Sequence, residues 1–219
     1  MSRKKLIRFV QSQDNHNVLE PGNELFEQIK GKWNSCFFQN DKPLVLEIGC
    51  GKGEYTIGLA KLFPDKNFIG IDIKGDRIAV GSNKAIEQGL KNVGFLRIKV
   101  QDLMTFFAEN EISEIWITFP DPHPLKSGIK KRLTNDRFLE MYKLIMIQEG
   151  LLHLKTDSEL FFDYSIERLQ VFGNKEIEST KDLYNSDLNI RHFGIKTKFE
   201  EIFTEKGFLI NYLFCKFRA

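Results

Sequence analysis

Apolar and polar positions follow two different periods from residue 43 onward. Runs of consecutive apolar residues, typical of buried strands, are separated by segments whose apolar residues recur every three or four positions, which is typical of helices. The predicted strands occupy 44–48, 67–72, 93–98, 112–119 and 151–155. Five helices are predicted between and after them: one that begins after residue 53, one over 76–88, a short one near 103–107, one that begins from a cap at Thr134, and one over 158–171. Strand–helix alternation of this kind predicts an α/β fold with a doubly wound, mostly parallel sheet.

The two ends of the chain differ from this pattern. Toward the C-terminus a strand near 175–179 is followed by a polar loop, a helix around 197–206 and an apolar run at 208–215. Two late strands joined in this way predict an antiparallel addition at the sheet edge. Residues 1–40 lack a sustained period, so we predict an N-terminal arm and a partly packed segment there, and one α/β domain over 41–219.

Composition narrows the class of protein. The 219 residues are 42% hydrophobic and 28% charged, as in an ordinary globular domain with a full-sized core. Three cysteines with no Cys-x-x-Cys pair fit a reducing cytoplasm and argue against a cysteine-built zinc site. No apolar run approaches the ~18 residues of a membrane helix, and no long apolar stretch follows the basic start, so a signal peptide is not expected. We predict a cytoplasmic protein with no metal and no membrane contact, either a monomer or a homodimer.

Charge is balanced over the whole chain but unevenly distributed. There are 32 Lys and Arg against 30 Asp and Glu, a formal net charge of +2, which argues against a polybasic design. RNA binding is not excluded, because phosphate contacts depend on local clusters rather than on the total. Three windows, 1–8, 123–137 and 191–198, hold 12 of the basic residues and one acid. We therefore predict a single basic face if these windows converge in space.

Glycines cluster where the first predicted strand ends and a helix begins. Gly49, Gly51 and Gly53 let the backbone approach a ligand that a Cβ atom would keep away. Asp72 ends the next strand, where an acid can accept hydrogen bonds from both hydroxyls of a ribose. The spacing of loop, helix and acid predicts a nucleoside-cofactor site, and a tight turn followed by a surface acid is the alternative.

The residues around these glycines discriminate between cofactors. The loop lacks the Gly-x-x-x-x-Gly-Lys-[Ser/Thr] phosphate loop, and its third glycine comes one residue too early for the dinucleotide pattern Gly-x-Gly-x-x-Gly. Glu47, just before the first glycine, would repel a pyrophosphate but can pair with a cationic ligand. S-adenosylmethionine carries a sulfonium and an amino group and no phosphate. The loop therefore favours this methyl donor over NAD.

A proline-braced loop follows the fourth predicted strand. Pro120, Pro122 and Pro124 restrict the backbone at alternate positions around Asp121. Because open α/β sheets bind ligands beyond the carboxyl ends of their strands, we predict Asp121 at a reaction centre rather than as the capping acid of a plain turn. For His123, in the same loop, packing, stacking on RNA and catalysis are all open interpretations.

Cations follow this loop directly, at Lys126, Lys130, Lys131 and Arg132. Such a run forms either a solvated face or a grip on a polyanion, and its place beside the predicted site favours the polyanion. Residues 191–200 also mix cations, aromatic rings and hydroxyl groups. There the sequence does not decide between helix capping by Thr197 and ligand recognition.

Taken in order, these motifs resemble the bacterial tRNA (guanine-N7-)-methyltransferases. That family's pattern reads Glu-Ile-Gly-x-Gly-x-Gly, an acid after the next strand, Phe-x-Asp-Pro, a basic stretch ending in Lys-Arg-Arg-Leu, His-x-Lys-Thr-Asp and Thr-x-[Phe/Tyr]-Glu. The matching residues here lie at 47–53, Asp72, 119–122, 130–133, 153–157 and 197–200, so the resemblance covers about residues 43–215.

This resemblance implies a class I methyltransferase fold (Rossmann-like), with a seven-stranded sheet whose last strand is antiparallel. It implies transfer of a methyl group from S-adenosylmethionine to N7 of a guanine in the variable loop of tRNA. Glu47, the three loop glycines, Asp72 and Asp121 would bind the methyl donor, with Asp121 also acting as the catalytic residue. The substrate side would be contacted by Lys126, Lys130, Lys131, Arg132, Asp157, Thr197, Lys198 and Glu200.

The chain departs from the family pattern around the Asp121 loop and after the third strand. His123 stands where the pattern has Trp, Leu125 where it has the first Lys, and Ser127 and Gly128 where it has Arg and His. The pattern's Asp-Ala pair aligns with residues 99–100, so we take nearby Asp102 as the replacement acid of the cofactor site.

Two rival functions fit parts of the same sequence. A methyltransferase of this fold that acts on a protein or a small molecule would need no basic flank beside Asp121. A non-catalytic RNA-binding protein would bind the methyl donor weakly despite Glu47 and Asp72.

Overall fold

One eight-stranded sheet organises the computed structural model, which describes residues 15–174 and 176–217. The strands are β1 Val18–Leu19, β2 Leu44–Ile48, β3 Asn67–Asp72, β4 Val93–Arg97, β5 Ile112–Thr118, β6 Met146–Thr156, β7 Ile177–Thr180 and β8 Asn211–Phe217. The α-helices are α1 Glu54–Leu62, α2 Gly75–Glu87, α3 Leu103–Phe106, α4 Asp136–Ile145, α5 Glu159–Val171 and α6 Lys198–Glu205. The strand order β1-β4-β3-β2-β5-β6-β8-β7 confirms the predicted doubly wound α/β fold.

The sheet is parallel except at its last strand. β8 lies between β6 and β7 and runs antiparallel to both, with Leu152 opposite Cys215 on one side and Ile177 opposite Cys215 on the other. The antiparallel strand is therefore one position in from the edge, and the short β7 forms the edge itself. This arrangement places Tyr212 beside Lys155, close to the carboxyl end of β6.

Helices cover both faces of the sheet because successive strand residues point to opposite sides. In β2, Leu44, Leu46 and Ile48 belong to one core cluster, together with buried residues of α3, α4 and α5. Val45 belongs to the other cluster, with buried residues of α1 and α2. Glu47 shares this second face, since its carboxylate accepts hydrogen bonds from Thr56 of α1.

Residues 15–40 pack against the same core. β1 pairs in parallel with β4, with Val18 opposite Phe95, and adds an eighth strand to the seven that the resemblance implies. Trp33 is fully buried, its indole N–H donates to the carbonyl of Phe106 at 2.9 Å, and its ring stacks on Phe107. A two-residue strand carries no period, which explains why the sequence pattern did not show it. Residues 1–14, part of the segment 1–40 in which we predicted the arm, lie outside the described residues.

The start of α4 differs from the prediction. Asn135, not Thr134, precedes the first helical residue. Thr134 is buried, and its hydroxyl forms a 2.7 Å hydrogen bond with the hydroxyl of Ser165 in α5. A buried hydroxyl needs a partner, and here that partner is a second helix rather than the backbone of α4. Ser158 does cap α5, by accepting a hydrogen bond from the amide of Phe161.

The strand order reverses between β2 and β5. From β2 the chain continues through β3 and β4 on one side, then crosses over and continues through β5 and β6 on the other. Such a reversal opens a crevice at the carboxyl ends of the two central strands, where open α/β sheets bind ligands. The loops at 49–53 and 119–124 leave these two strand ends, so both predicted motifs meet at the crevice.

Candidate functional site

The glycine loop has a backbone that other residues rarely adopt. Gly49, Gly51 and Gly53 have φ angles of 78°, 56° and 67°, in the left-handed region. At Gly53 space is also lacking, because a Cβ atom would come within 2.6 Å of the Phe95 ring. These glycines turn the chain sharply from β2 into α1 at the floor of the crevice.

The amides of this loop already have partners within the protein. Gly49 and Cys50 donate to the carbonyl of Ile71 at 2.8 and 2.9 Å, and Gly53 donates to the carbonyl of Cys50 at 2.8 Å. The Gly51 amide donates to Asp72 Oδ2 at 2.9 Å. A phosphate cradle presents free backbone N–H groups to its ligand, and these four are occupied. The loop is therefore poorly suited to a pyrophosphate, as its glycine spacing predicts.

Glu47 places a buried carboxyl group beneath the loop. One oxygen, Oε2, accepts from both the amide (2.8 Å) and the hydroxyl of Thr56, and the other accepts from the hydroxyl of Thr118 at 2.7 Å. Burial raises the pKa of Glu47 to about 7, although the hydrogen bonds oppose this shift. A cation bound above the loop would favour the ionised carboxylate, so the site suits a positively charged ligand.

Asp72 is held in place at the end of β3. Its two carboxylate oxygens accept from the amides of Gly51 and Lys74, at 2.9 and 2.8 Å. Each oxygen keeps a further lone pair, so the half-buried carboxylate can still accept two hydroxyl hydrogens. Asp102 is exposed and does not line the cavity above the glycine loop; it lines a second cavity of about 410 Å³ together with Ile73, the residue that follows Asp72.

A cavity of about 400 Å³ opens above the glycine loop. Its walls are the loop itself, the end of β5 and the starts of α1 and α6. The amide of Lys198 in α6 donates to Glu54 Oε2 in α1 at 3.1 Å, which joins two of these walls. The lining residues are Gly49, Cys50, Gly51, Lys52, Glu54, Arg77, Thr118, Phe119, Thr197, Lys198, Phe199 and Ile202. Thr197 and Lys198, which the sequence assigns to the substrate side, therefore face the cofactor loop across this cavity.

The start of α6 is built by a capping box. The Thr197 hydroxyl accepts from the Glu200 amide at 3.1 Å, and Glu200 Oε2 accepts from the Thr197 amide at 3.3 Å. The other Glu200 oxygen forms a buried ion pair with Lys155 Nζ at 2.7 Å and accepts from the Tyr184 hydroxyl. Capping is thus a role of Thr197, and Glu200 is fully buried and supports the helix from within. Phe199, on the outer side, is exposed.

Asp121 sits in a strained, open loop. Phe119 and His123 have positive φ angles, 48° and 43°, which are uncommon for residues other than glycine. The Asp121 side chain is 71% exposed, and its Oδ1 accepts from the His123 amide at 3.1 Å. The His123 ring also approaches this oxygen, with Nδ1 at 3.7 Å. The carboxylate is thus oriented by its own loop and accessible to a ligand.

The cations after this loop fall into two groups. Lys126, Lys130 and Lys131 lie on a short 3₁₀ turn, Lys126–Lys131, and are exposed, and none forms an ion pair with an acid that the structure describes. Arg132, which the sequence groups with them, is 5% exposed and donates to carbonyls of the Asp121 loop. Asp157 is half-buried just after β6, and burial raises its pKa.

The third basic window does not form one face of free cations. Arg191 pairs with Glu178 at 3.1 Å and lies over the Phe214 ring. Lys196 lies over the Tyr184 ring, and Lys198 pairs with Glu201. Window 1–8 lies outside the described residues. Within the described chain, the second window presents four exposed cations that form no ion pair: the three lysines of the 3₁₀ turn and Arg137, which lies over the Phe138 ring.

Several residues of the site were not found from the sequence. Thr56 and Thr118 hold Glu47, and Arg77 lines the cavity. One signal was available: an acid within a strand of apolar residues needs hydrogen-bond donors nearby, although the sequence does not say which. Among the residues described, no group of three or more His, Cys, Asp or Glu side chains is placed to hold a metal ion, and no helix has the length and apolar character to cross a membrane.

Known proteins resemble this chain over most of its length. A family model described as "Putative methyltransferase" matches residues 41–211. The tRNA (guanine-N(7)-)-methyltransferase of Cytophaga hutchinsonii is 46% identical over 215 residues, which are 97% of each chain. The enzymes of the same name from Christiangramia forsetii and Bacteroides fragilis are 46% and 43% identical over 97% of this chain, covering 97% and 85% of their own lengths.

Solved structures match the fold at much lower identity. The 16S rRNA methyltransferase KamB is 14% identical and superposes with a TM-score of 0.65, covering 93% of this chain and 99% of its own. An antibiotic-related methyltransferase is 15% identical with a TM-score of 0.62, covering 94% of this chain and 98% of its own. These two matches support the class I methyltransferase architecture, and at this identity they support the fold alone.

Proposed function

The chain belongs to the tRNA (guanine-N(7)-)-methyltransferase family, and from this premise we propose that it transfers a methyl group from S-adenosylmethionine to N7 of a guanine in the tRNA variable loop. The observation that carries the proposal is 46% identity over 97% of both chains with a relative of that name. Because its substrate is tRNA, we also propose that the chain acts in the cytoplasm.

The residues of the crevice fit the methyl donor. When bound, S-adenosylmethionine supplies an electrophilic methyl group on a sulfonium. Glu47 would favour a cation above the glycine loop, and the two oriented oxygens of Asp72 would accept from the ribose hydroxyls. NAD fits less well, since four loop amides that could bind a pyrophosphate are already engaged. Asp102 lines the second cavity together with Ile73, which follows Asp72, and there it would contact the adenine end of the donor.

The acceptor atom requires positioning more than activation. Guanine N7 carries an in-plane lone pair and is unprotonated near neutral pH, so no base has to remove a proton before methyl transfer. The protein must align N7 with the methyl carbon and sulfur. Asp121, exposed at the end of β5, would accept hydrogen bonds from the guanine edge and stabilise the positive charge that the ring gains.

An aromatic surface at the mouth of the cavity suits an unstacked base. The rings of Phe119 and Phe199 lie 5.4 Å apart, and Phe199 stacks on Phe203 at 4.1 Å. Phe199 is 42% exposed and lines the cavity. Proteins that read single bases of RNA commonly stack them on such rings. We assign Phe199 to the guanine and the exposed Lys126, Lys130 and Lys131 to the tRNA backbone.

An acceptor comparison tests this function. Purified protein is incubated with methyl-labelled S-adenosylmethionine and, separately, with tRNA that lacks modifications, 16S rRNA and a protein extract. We expect label in the tRNA alone. Label in rRNA or in protein would replace the acceptor assignment, and donor binding without any transfer would support a non-catalytic RNA-binding protein.

A further inference from the structure

Arg132 differs from the neighbouring cations because its side chain points into the protein. Lys130 and Lys131 are exposed, whereas Arg132 is 5% exposed at the end of the same 3₁₀ turn. Its guanidinium lies over the Tyr164 ring of α5, with 4.5 Å between Cζ and the ring centroid. The Tyr164 hydroxyl in turn accepts from Asn135 Nδ2 at 3.0 Å. The guanidinium is thus anchored inside the protein.

The free edge of this guanidinium faces the back of the Asp121 loop. Arg132 Nε donates to the Pro122 carbonyl at 3.1 Å and to the His123 carbonyl at 3.3 Å, and Nη2 donates to the His123 carbonyl at 3.1 Å. Gly128 lets the 3₁₀ turn close against the same loop, since a Cβ atom there would come within 2.9 Å of the His123 Cβ. The planar, forked guanidinium of Arg132 (the Arg132 fork) therefore holds the loop from its inner side.

These contacts act on the residue that orients Asp121. His123 has a φ of 43°, a conformation that persists only where the surroundings enforce it. In that conformation its amide points to Asp121 Oδ1, while its carbonyl points to Arg132. Without the fork, His123 can relax to a negative φ, which turns its amide away from the carboxylate.

We infer that Arg132 is a positioning residue for Asp121, acting through the carbonyls of Pro122 and His123 rather than by contact with RNA. The inference rests on the proposed function, because Asp121 is the group that would meet the guanine. A fork of fixed geometry is needed for two carbonyls, and lysine offers a point charge instead. The charge of Arg132 is then secondary to its shape.

Four variants distinguish a positioning role of Arg132 from a role as an RNA contact. Arg132→Met and Arg132→Lys are compared with Lys130→Met, which removes an exposed cation of the same turn, and with Arg168→Met, which removes an arginine whose ion pairs with Asp136 and Glu167 are on the surface. For each variant we measure donor binding, tRNA affinity against salt concentration, turnover at saturating substrates, and the exchange rate of the His123 amide.

Both Arg132 variants should lose turnover by about 100-fold, as expected for a misplacement of ~1 Å. Their tRNA affinity and its salt dependence should stay within about twofold of wild type, and His123 amide exchange should accelerate. Lys130→Met should show the opposite pattern: tRNA binding should weaken, and the slope of log Kd against log salt should fall by about 1. Exchange of the His123 amide should be unchanged. Arg168→Met should match wild type throughout.

Other outcomes contradict the inference. Wild-type turnover in Arg132→Lys would show that charge is sufficient, and a tRNA affinity defect in Arg132→Met that resembles that of Lys130→Met would make Arg132 an RNA contact. Loss of donor binding in both Arg132 variants would make it a general folding residue. If wild-type protein fails to methylate tRNA, the proposed function fails, while His123 amide exchange still tests the fork.

Discussion

Glu47 is a carboxyl group placed where the sheet otherwise buries hydrocarbon. It lies in β2, is 3% exposed, and receives hydrogen bonds from Thr56 and Thr118. Because burial raises its pKa from 4.5 to about 7, the folded protein holds a proton that the unfolded chain releases between these values. The contribution of this group to stability is therefore fully present below pH 4.5 and is lost as pH rises through 7.

Replacing Glu47 should reveal this linkage. Glu47→Gln keeps the shape and cannot ionise, so the variant should gain stability relative to wild type as pH rises from 5 to 8, by about 2–3 kcal/mol. Urea unfolding of both proteins at pH 5 and pH 8 measures the difference. A stability difference that does not change with pH would show that Glu47 titrates normally. Weaker donor binding in the variant at pH 8 would add support for the cation site.

Asp121 can be tested for charge separately from shape. Asp121→Asn retains an oxygen that can accept from the His123 amide, so the loop should keep its conformation while the carboxylate charge is lost. We expect turnover to fall about 100-fold, in the range measured for single groups that stabilise charge in a transition state. Asp121→Ala should lose at least as much and should still unfold at the wild-type temperature. Near-normal turnover in either variant would remove Asp121 from the mechanism.

At the scale of elements, α6 depends on one buried ion pair. Burial lowers the pKa of Lys155, and the adjacent Glu200 carboxylate opposes that shift. Glu200 also completes the capping box with Thr197. The pair therefore joins β6 to the helix that forms one wall of the cavity.

Breaking this pair should destabilise the protein strongly. Glu200→Gln retains a side chain that can cap the helix but leaves Lys155 buried without its partner, so we expect a loss of about 3 kcal/mol. The double variant Lys155→Met with Glu200→Gln should recover much of that loss, because no charge is then left buried. Thr197→Ser, which preserves the helix cap, serves as the control. Chemical denaturation measures the free energy of unfolding of the single variant, the double variant and this control. A double variant no more stable than Glu200→Gln would contradict this account.

The elements show what the sequence can and cannot predict. Strands β2 to β5 and the helices α1, α2 and α4 were predicted because each is long enough to show an apolar pattern. β1 has two residues and shows none, and β6 begins earlier than predicted because Met146 pairs with Ile112 before a register shift. The meeting of the two site loops followed from strand order alone. The burial of the Arg132 side chain could not be predicted, because a run of cations in the sequence does not show which of them has hydrogen-bond partners inside the protein.

At the scale of the whole molecule, a net charge of +2 is compatible with a local RNA-binding surface. Among the described residues of the three sequence windows, Lys126, Lys130, Lys131 and Arg137 are exposed and form no ion pair with a described acid, whereas Arg132 is buried and Arg191 pairs with Glu178.

Salt should therefore separate the two ligands. Raising the salt concentration should weaken tRNA binding and leave donor binding nearly unchanged. Each replacement of Lys126, Lys130 or Lys131 by Met should lower the slope of log Kd against log salt by about 1. Lys143→Met, an exposed lysine on α4, is the control and should not change the slope. Equal salt sensitivity of donor and tRNA binding would count against the 3₁₀ turn as the RNA contact.

Nucleoside mass spectrometry of unmodified tRNA after incubation with the protein and S-adenosylmethionine tests the central claim most directly. It identifies the donor, the acceptor and the methylated atom in one measurement. We predict 7-methylguanosine in the digest, at a level that approaches one per tRNA molecule and falls sharply with Asp121→Asn. A digest without 7-methylguanosine, or with another methylated nucleoside in its place, would contradict the account.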